Sequence, residues 1–204
     1  MNIVIVGATG TIGSAVVNIL KDNHRVITVG HTQGEYQMDI ALHSSIEATL
    51  QQIHGDIGSI DALVFAAGKV AFAPLAELSD DQWKLGINNK LMGQINLTTL
   101  SLPYLSERAS ITLTSGILGE QPIAMGVSAA AVNGAIDSFV RAAATELPPG
   151  VRINSVSATV VEESLYKYAD FFPGFPAIPA ARAAQAYKRS ILGVTTGEVL
   201  RVFS

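Results

Sequence analysis

Apolar residues follow two alternating patterns along the chain. Short runs rich in β-branched residues, of which Asn2–Val6 is the first, are typical of buried strands. Most are followed by a longer segment with apolar positions at helical spacing, such as Ile12, Val16 and Leu20. The patterns predict strands at 2–6, 25–29, 36–38, 61–66, 110–114, 151–156 and 198–203. They predict helices at 11–21, 45–53, 79–102, 125–146 and 180–190.

Alternation of strand and helix predicts an α/β fold, a three-layer doubly wound parallel sheet of about seven strands. We expect a single domain over residues 1–204, because one core of this size has no need to split. The helical pattern from 79 runs on to Pro103, and Ser44 or Ser45 is expected to cap the second helix. An irregular segment at 159–179, rich in Tyr and Phe, is predicted to form a flap.

Composition narrows the class of partner. The chain has 49% hydrophobic and 15% charged residues, with mean hydropathy +0.36, which suits strands covered on both faces. Without cysteines, and with four histidines that lack metal-ligand spacing, we expect no disulfide and no metal. A net charge of −4 argues against nucleic acid. No apolar run approaches the ~20 residues of a membrane span and no leader is evident. We therefore expect a cytoplasmic protein with a small-molecule partner.

A glycine-rich loop follows the first strand and opens the first helix. Gly7, Gly10 and Gly13 allow a tight turn, close approach of a pyrophosphate and close packing of the helix on the sheet. The free N–H groups of the helix N-terminus favour a phosphate. The context predicts a Rossmann fold that binds a nicotinamide dinucleotide. The loop residues expected to contact it are Gly7, Thr9, Gly10, Thr11, Ile12 and Gly13.

The residues after the second strand bear on the choice between NAD and NADP. An acid there would hold the ribose 2′-hydroxyl of NAD, whereas cations and hydroxyls accept the 2′-phosphate of NADP. This chain has Gly30, His31 and Thr32. Because two of these side chains can donate hydrogen bonds and none is acidic, NADP is expected to be preferred over NAD.

With these pieces in place, the chain resembles the short-chain dehydrogenase/reductase family over essentially its whole length. The motifs that carry the resemblance are Asp39-Ile40, Ala66-Ala67-Gly68, Leu113-Thr114-Ser115, 130–134, 150–154 and 196–200. The resemblance implies an oxidoreductase. It adds Asp39, Ile40, Ala66, Ala67, Gly68 and Val160 to the cofactor contacts, and it implies a homodimer or homotetramer.

The residues that carry the family's reaction are replaced in this sequence. Reductases of the family use a Tyr-x-x-x-Lys pair, and alignment on residues 130–134 places Met125 at the tyrosine and Ala129 at the lysine. Neither side chain carries a proton. The position of the family's helix asparagine falls on Lys90, and its Pro-Gly after the sixth strand becomes Ala158-Thr159.

Two residues are therefore expected to carry catalysis. Ser115 follows a strand and can orient a substrate carbonyl, or it only bonds local backbone. Lys90 lies on a mostly apolar helix, where desolvation would lower its pKa, unless its stem carries the ammonium to solvent. Tyr166 and Tyr168 either bring a phenol over the nicotinamide or form an apolar lid.

We accordingly expect an NADP-dependent oxidoreductase of a small carbonyl or alcohol substrate, with the proton from Lys90 or ordered water. Two alternatives stay open at this point. One is a dinucleotide-binding sensor or structural protein without turnover, which the loss of both tyrosine and lysine favours. The other is a cyclase or isomerase that uses the same pocket without net redox.

Overall fold

The computed structural model describes all residues, Met1–Ser204, and contains one sheet flanked by helices. The strands are β1 (Asn2–Val6), β2 (Arg25–Gly30), β3 (Tyr36–Gln37), β4 (Ile60–Phe65), β5 (Leu105–Thr114), β6 (Arg152–Ala158) and β7 (Val199–Val202). The α-helices are α1 (Thr11–Leu20), α2 (His43–Ile57), α3 (Asp80–Lys84), α4 (Met92–Ser101), α5 (Val127–Ala143), α6 (Leu165–Tyr168) and α7 (Ala180–Leu192). None of these helices is long and apolar enough to span a bilayer.

All seven strands pair in parallel, in the order β3-β2-β1-β4-β5-β6-β7. The order reverses between β1 and β4, which pair over Ile3–Val6 and Ala62–Phe65. Such a reversal leaves a crevice outside the carboxyl ends of the two strands, where ligands of open α/β sheets bind. The predicted doubly wound sheet is confirmed.

Each face of the sheet is covered by its own apolar core. Successive residues of β1 alternate between the two, with Val4 and Val6 in one core and Ile3 and Ile5 in the other. The first core receives side chains of α2, α4 and α5, and the second those of α1 and α7. Burial on both faces explains why the strands read as continuous apolar runs.

The long helix predicted at 79–102 is interrupted. Helix α3 ends at Lys84, a π-helical segment occupies Leu85–Leu91, and α4 follows. The sequence pattern could not reveal this, since a π segment keeps a helical repeat while adding a residue to the turn. The π-helical segment contains Lys90, one of the two residues expected to carry catalysis.

Three smaller boundaries also differ from the expectations. Helix α2 begins at His43 after Leu42, so neither Ser44 nor Ser45 is its cap; Ser45 Oγ instead accepts the N–H of Asp39 at 2.9 Å. Helix α5 begins at Val127, which leaves Met125 outside it. Strand β5 begins five residues before the predicted start at 110, at Leu105.

The segment at 159–179 is less irregular than expected. It holds two 3₁₀ turns, Glu162–Ser164 and Ala169–Phe171, on either side of the short helix α6. Aromatic rings link it to the loop after β4, since the Phe72 ring centroid lies 5.0 Å from that of Phe171 and 5.8 Å from that of Tyr168. The segment therefore forms an aromatic wall over the carboxyl ends of the central strands.

Candidate active site

Two cavities adjoin at the carboxyl ends of β1 and β4. One, of about 570 Å³, lies beside the glycine loop, and we call it the glycine-loop cleft. The other, of about 290 Å³, lies toward β5 and β6, and we call it the apolar cavity. Ala66, Ala67 and Gly68 line both. The two spaces thus share one strip of backbone at the switch point of the sheet.

The backbone of the glycine loop packs so closely on its neighbours that a side chain would not fit at two of its positions. A Cβ on Gly13 would lie 2.0 Å from the carbonyl oxygen of Gly7, so α1 packs directly on the loop. Gly7 has a φ of +86°, and a Cβ there would lie 2.6 Å from the carbonyl oxygen of Ala66. Helix α1 begins after Gly10 without any side-chain cap, which leaves its first N–H groups free for an anion.

Most of the residues predicted to bind a cofactor line one of the two spaces. Those in the glycine-loop cleft are Gly7, Thr9, Gly10, His31, Asp39 and Ile40, together with the shared Ala66, Ala67 and Gly68. Ile12 and Val160 line the apolar cavity. Thr11, Gly13 and Thr32 line neither, and Thr32 is exposed to solvent.

His31 and Asp39 face each other across the outer end of the glycine-loop cleft. His31 Nε2 lies 3.9 Å from Asp39 Oδ2; the His31 side chain is largely exposed, whereas that of Asp39 is 38% exposed. Asp39 Oδ1 accepts the N–H of Ala41 at 2.9 Å, which fixes the carboxylate on the floor of the cleft. An imidazole and a carboxylate of the protein thus both border this end.

The apolar cavity has mostly apolar walls. Phe72, Leu118, Tyr168 and Phe172 are among its larger lining side chains, and Lys90 is its only charged residue. Its polar side chains come from four parts of the fold. They are Lys90, Thr114, Ser115, Asn133, Thr159, Ser164 and Tyr168.

The ammonium of Lys90 is held inside the protein. Lys90 Nζ donates to the main-chain oxygen of Ser115 at 2.9 Å and to Asn133 Oδ1 at 2.7 Å. Its stem lies on Gly68, where an added Cβ would come within 2.7 Å of Lys90 Cγ. The alternative that this side chain carries its charge to solvent is therefore wrong.

The π segment and one glutamine fix the position of Lys90. Gln94 is fully buried, and its Nε2 donates to the carbonyl oxygens of Lys90 at 3.0 Å and Thr114 at 3.1 Å. Gln94 Oε1 accepts the N–H of Thr114 at 2.7 Å. The glutamine therefore joins the helix backbone at Lys90 to the end of β5, directly before Ser115. A π segment within a helix is frequently found at a functional site.

Burial changes the acidity of the lysine. Desolvation lowers the pKa of Lys90 to about 8, an effect that the carboxylate of Asp137 partly opposes. Asp137 lies one turn beyond Asn133 on α5, is only 3% exposed, and accepts a 2.7 Å hydrogen bond from Ser155 Oγ. Lys90 is thus an ammonium that can release its proton near neutral pH.

The hydroxyl of Ser115 has no partner in the protein. The residue follows β5, lines the apolar cavity and is buried, yet its Oγ makes no hydrogen bond. Its neighbour Thr114 is fully occupied, since Thr114 Oγ1 contacts the carbonyl oxygen of Phe65 and lies 2.5 Å from the Tyr187 hydroxyl. Five buried side-chain hydroxyls of the protein lack a partner, and Ser115 is the one among them that lines the apolar cavity, where a ligand can reach it.

The two positions that the resemblance assigns to the family's tyrosine and lysine differ in burial and in their relation to the apolar cavity. Met125 is partly exposed, with a left-handed φ of 60°, and does not line the apolar cavity. Ala129 is buried and does line it. Of the two flap tyrosines, Tyr166 is 91% exposed and only Tyr168 borders the cavity.

Sequence reasoning missed Asn133, Gln94 and Asp137. Asn133 and Asp137 were within reach, because they lie four and eight residues beyond Ala129 and so on the same face of a helix. Gln94 lies four residues beyond Lys90, but its pairing with Thr114 joins elements that only the tertiary fold brings together.

Comparisons with known proteins agree with this architecture. Residues 8–202 match the sequence family described as Enoyl-(Acyl carrier protein) reductase. The 3-oxoacyl-[acyl-carrier-protein] reductase FabG of Vibrio harveyi is 26% identical over 181 residues, which cover 80% of this chain and 74% of that protein.

Two solved structures superpose along the whole chain. The protein lin1944 from Listeria innocua is 43% identical, with a TM-score of 0.94 and full coverage of both chains. A small-chain dehydrogenase in complex with NADPH is 26% identical, with a TM-score of 0.87 and coverage of 99% of this chain and 96% of that one. The sequence match, the strand order and these superpositions lead to one conclusion: the chain belongs to the short-chain dehydrogenase/reductase family of oxidoreductases.

Proposed function

We propose that the protein is an NADP-dependent oxidoreductase that reduces a small carbonyl compound in the apolar cavity, with Ser115 orienting the carbonyl and Lys90 supplying the proton. The observation that carries the proposal is the convergence of the two residues. The Lys90 ammonium is 2.9 Å from the main-chain oxygen of Ser115, and both side chains line one cavity beside the glycine-loop cleft.

The residues present suit a dinucleotide. The uncapped N-terminus of α1 and the close packing of Gly13 on Gly7 provide a backbone cradle for a pyrophosphate. His31 lines the outer end of the cleft and is the donor we assign to the 2′-phosphate, with Asp39, Ile40 and the strip Ala66–Gly68 along the remaining length. A relative that was solved in complex with NADPH supports a nicotinamide dinucleotide as the ligand of this cleft.

When bound with its nicotinamide toward the apolar cavity, the reduced cofactor supplies a hydride. Ser115 Oγ–H then donates to the carbonyl oxygen, which polarises the bond. As negative charge develops on that oxygen, Lys90 transfers a proton to it and is left as a neutral amine. A general acid works best when its pKa is near the operating pH, and desolvation lowers the pKa of Lys90 to about 8.

Met125 and Ala129 explain why the lysine would act from another helix. If these positions correspond to the family's tyrosine and lysine, α5 offers no proton donor to the cavity. Lys90 enters the same cavity beside Ala129 and is bound by Asn133, one turn further along α5. The reaction centre would thus keep an ammonium while changing the helix that provides it.

Calorimetric titration with NADPH, NADP⁺, NADH and NAD⁺ tests the cofactor half of the proposal. We expect micromolar binding with a preference for the 2′-phosphorylated forms. Absence of binding to all four would leave the loop as a scaffold and refute the proposal. Equal affinity for NADPH and NADH would refute only the assignment of His31 to the 2′-phosphate.

A further inference from the structure

A second charged side chain lies inside the protein near Lys90. Asp137 of α5 is only 3% exposed, although aspartate is almost never fully buried without a partner. Its carboxylate receives one hydrogen bond, from the neutral hydroxyl of Ser155 on β6, at 2.7 Å. One neutral donor offsets only part of the cost of removing a carboxylate from water. The burial of Asp137 is therefore expected to depend on a nearby cation.

Lys90 has the complementary need. Its ammonium has two acceptors, the main-chain oxygen of Ser115 and Asn133 Oδ1, and both are neutral. Asn133 and Asp137 lie four residues apart on α5, so their side chains occupy one face of the helix a single turn apart. The ammonium and the carboxylate form no direct ion pair. The two charges therefore interact across one turn of α5, with Asn133 on the side of Lys90.

The face of the sheet beneath these charges is polar. Ser155 and Ser157 lie two residues apart on β6, so they point to the same side of the sheet, and both are fully buried. Ser155 donates to Asp137, whereas Ser157 Oγ has no partner in the protein. A hydroxyl rotates to present either its proton or its lone pairs. This face therefore suits two opposite charges held apart better than an apolar layer would.

The other charged groups around the pair are exposed or already bonded. Tyr168 is the only other titratable side chain that lines the apolar cavity with Lys90. Arg201 is a second cation near Asp137, but its Nε donates to both carboxylate oxygens of Glu120, at 2.8 and 2.9 Å. The charged side chains of the neighbouring loop, α3 and α5 that are exposed are Lys69, Asp80, Asp81, Lys84 and Arg141.

We propose that Asp137 is the counter-ion of Lys90 and a positioning residue of the active site, which acts across Asn133 to keep the lysine protonated beside the substrate. The kinetic part of this inference rests on the proposed function, whereas the pairing of the charges does not. A carboxylate near an ammonium stabilises its charged form, so without Asp137 the pKa of Lys90 would fall further below about 8. Asp137 thus sets the pH above which the cavity loses its proton donor.

The pH profile of kcat/KM tests the kinetic role, with NADPH and 4-nitrobenzaldehyde, an activated and uncharged aldehyde, as the probe. The wild type should decline above about pH 8, as Lys90 loses its proton. In Asp137→Asn the decline should begin about one pH unit lower, the smaller end of the effect of a nearby opposite charge. Activity at pH 8 should then fall about fivefold relative to activity at pH 6.

Glu146→Gln is the matched control for this profile, because it removes an exposed carboxylate just beyond the end of α5. It should keep the wild-type pH profile. A decline that begins at the same pH in Asp137→Asn as in the wild type would overturn the kinetic role of Asp137.

A double-mutant cycle in urea unfolding tests the pairing of the charges without any activity. Lys90→Met, Asp137→Asn and the double variant are compared with the wild type at pH 7 and pH 10. At pH 7 each single variant leaves one enclosed charge without its partner. The rise in the unfolding constant of the double variant should therefore be at least about tenfold smaller than the product of the two single rises. At pH 10 Lys90 is neutral in the folded protein, so this coupling should disappear.

The outcomes separate this inference from the proposed function. Additive single effects at pH 7, or a coupling of the same size at pH 10, would overturn the counter-ion and leave the oxidoreductase proposal intact. Coupling at pH 7 together with NADPH binding but no reduction of the aldehyde would support the pairing and overturn the kinetic role with the proposed function. If Asp137→Asn does not fold at pH 7, recovery of the fold on addition of Lys90→Met supports the pairing, and an unfolded double variant contradicts it.

Discussion

The glycine-loop cleft and the apolar cavity, which form the cofactor end and the reaction end of the site, are built from different parts of the chain. The glycine-loop end is shaped by main chain, with Gly13 packed on the carbonyl of Gly7 and Gly7 against Ala66. The reaction end is assembled from side chains of the π segment, the β5 terminus and α5, namely Lys90, Ser115 and Asn133. Backbone geometry leaves a local signature in the sequence, whereas a meeting of distant side chains does not. The two ends should accordingly respond differently to substitution.

The largest effect is expected from removal of the proton donor. Lys90→Met should lower kcat for carbonyl reduction by about 10²- to 10⁴-fold, the usual contribution of a general acid, while NADPH affinity changes little. Steady-state kinetics and calorimetry measure the two quantities. Lys84→Met is the matched control, since Lys84 is exposed and makes only a 3.9 Å contact with Asp81. Retained turnover in Lys90→Met would transfer the role to another donor, with Tyr168 as the phenol in the same cavity.

The same lysine should leave a mark on stability as a function of pH. The pKa of Lys90 falls from 10.5 to about 8 on folding, so between these values the unfolded chain binds a proton that the folded protein does not. The free energy of unfolding contributed by this group therefore rises with pH from about 8 to 10.5, by up to about 3 kcal/mol.

Lys90→Met should remove that rise. Urea unfolding of the wild type and the variant at pH 7.5 and pH 10 provides the measurement, and the other titrating groups cancel in the difference. We expect the variant to lose stability relative to the wild type at the higher pH. A difference that is the same at both pH values would show that the lysine is not desolvated.

The glycine-loop end should fail through binding alone. Gly10→Val places a side chain in the cleft, where the nearest protein atom to the Cβ, the oxygen of Gly7, is 3.3 Å away. NADPH affinity should fall by at least about tenfold, because the phosphate can no longer approach the backbone. Gly55→Val is the control, since a Cβ there meets nothing within 4 Å. An unchanged affinity in Gly10→Val would contradict the phosphate cradle. Gly13→Val is unsuitable, because its Cβ would collide with main chain.

The smallest effect concerns the choice between the two cofactors. His31→Asp adds a second carboxylate beside Asp39 and should shift the NADPH-to-NADH affinity ratio toward NADH by about tenfold. Calorimetry with both cofactors measures the ratio, and His43→Asp, on the exposed start of α2, serves as control. The same shift in both variants would show a general charge effect rather than a local contact.

The sequence predicted the fold and the outline of the site for physical reasons that can be named. Strand β1 was predicted with its observed bounds because an apolar β-branched run ended at a glycine. For Lys90 the sequence left open whether the ammonium is desolvated or reaches solvent, and its burial in the fold favours desolvation. The cap of α2 was wrong, because the hydroxyl of Ser45 accepts the N–H of Asp39 instead of capping the helix.

What sequence reasoning missed depends on tertiary contacts. The break at Leu85–Leu91 leaves the helical pattern almost unchanged, and Gln94 acquires its role only through Thr114 on a distant strand. Thr32 was predicted at the cofactor because its hydroxyl, after the second strand, can donate to a 2′-phosphate, but only His31 of the two lines the cleft. Local rules identify candidates, and long-range packing decides which of them meet.

The π segment makes the site sensitive to the number of residues between α3 and α4. It arises from one residue more than a continuous α-helix would hold, and each residue of an α-helix turns the chain by about 100°. Deletion of a single codon within Leu85–Leu91 would therefore join α3 and α4 into a regular helix and rotate the residues on one side of the deletion by about 100° relative to those on the other. Substitution scanning, which preserves chain length, cannot sample that change.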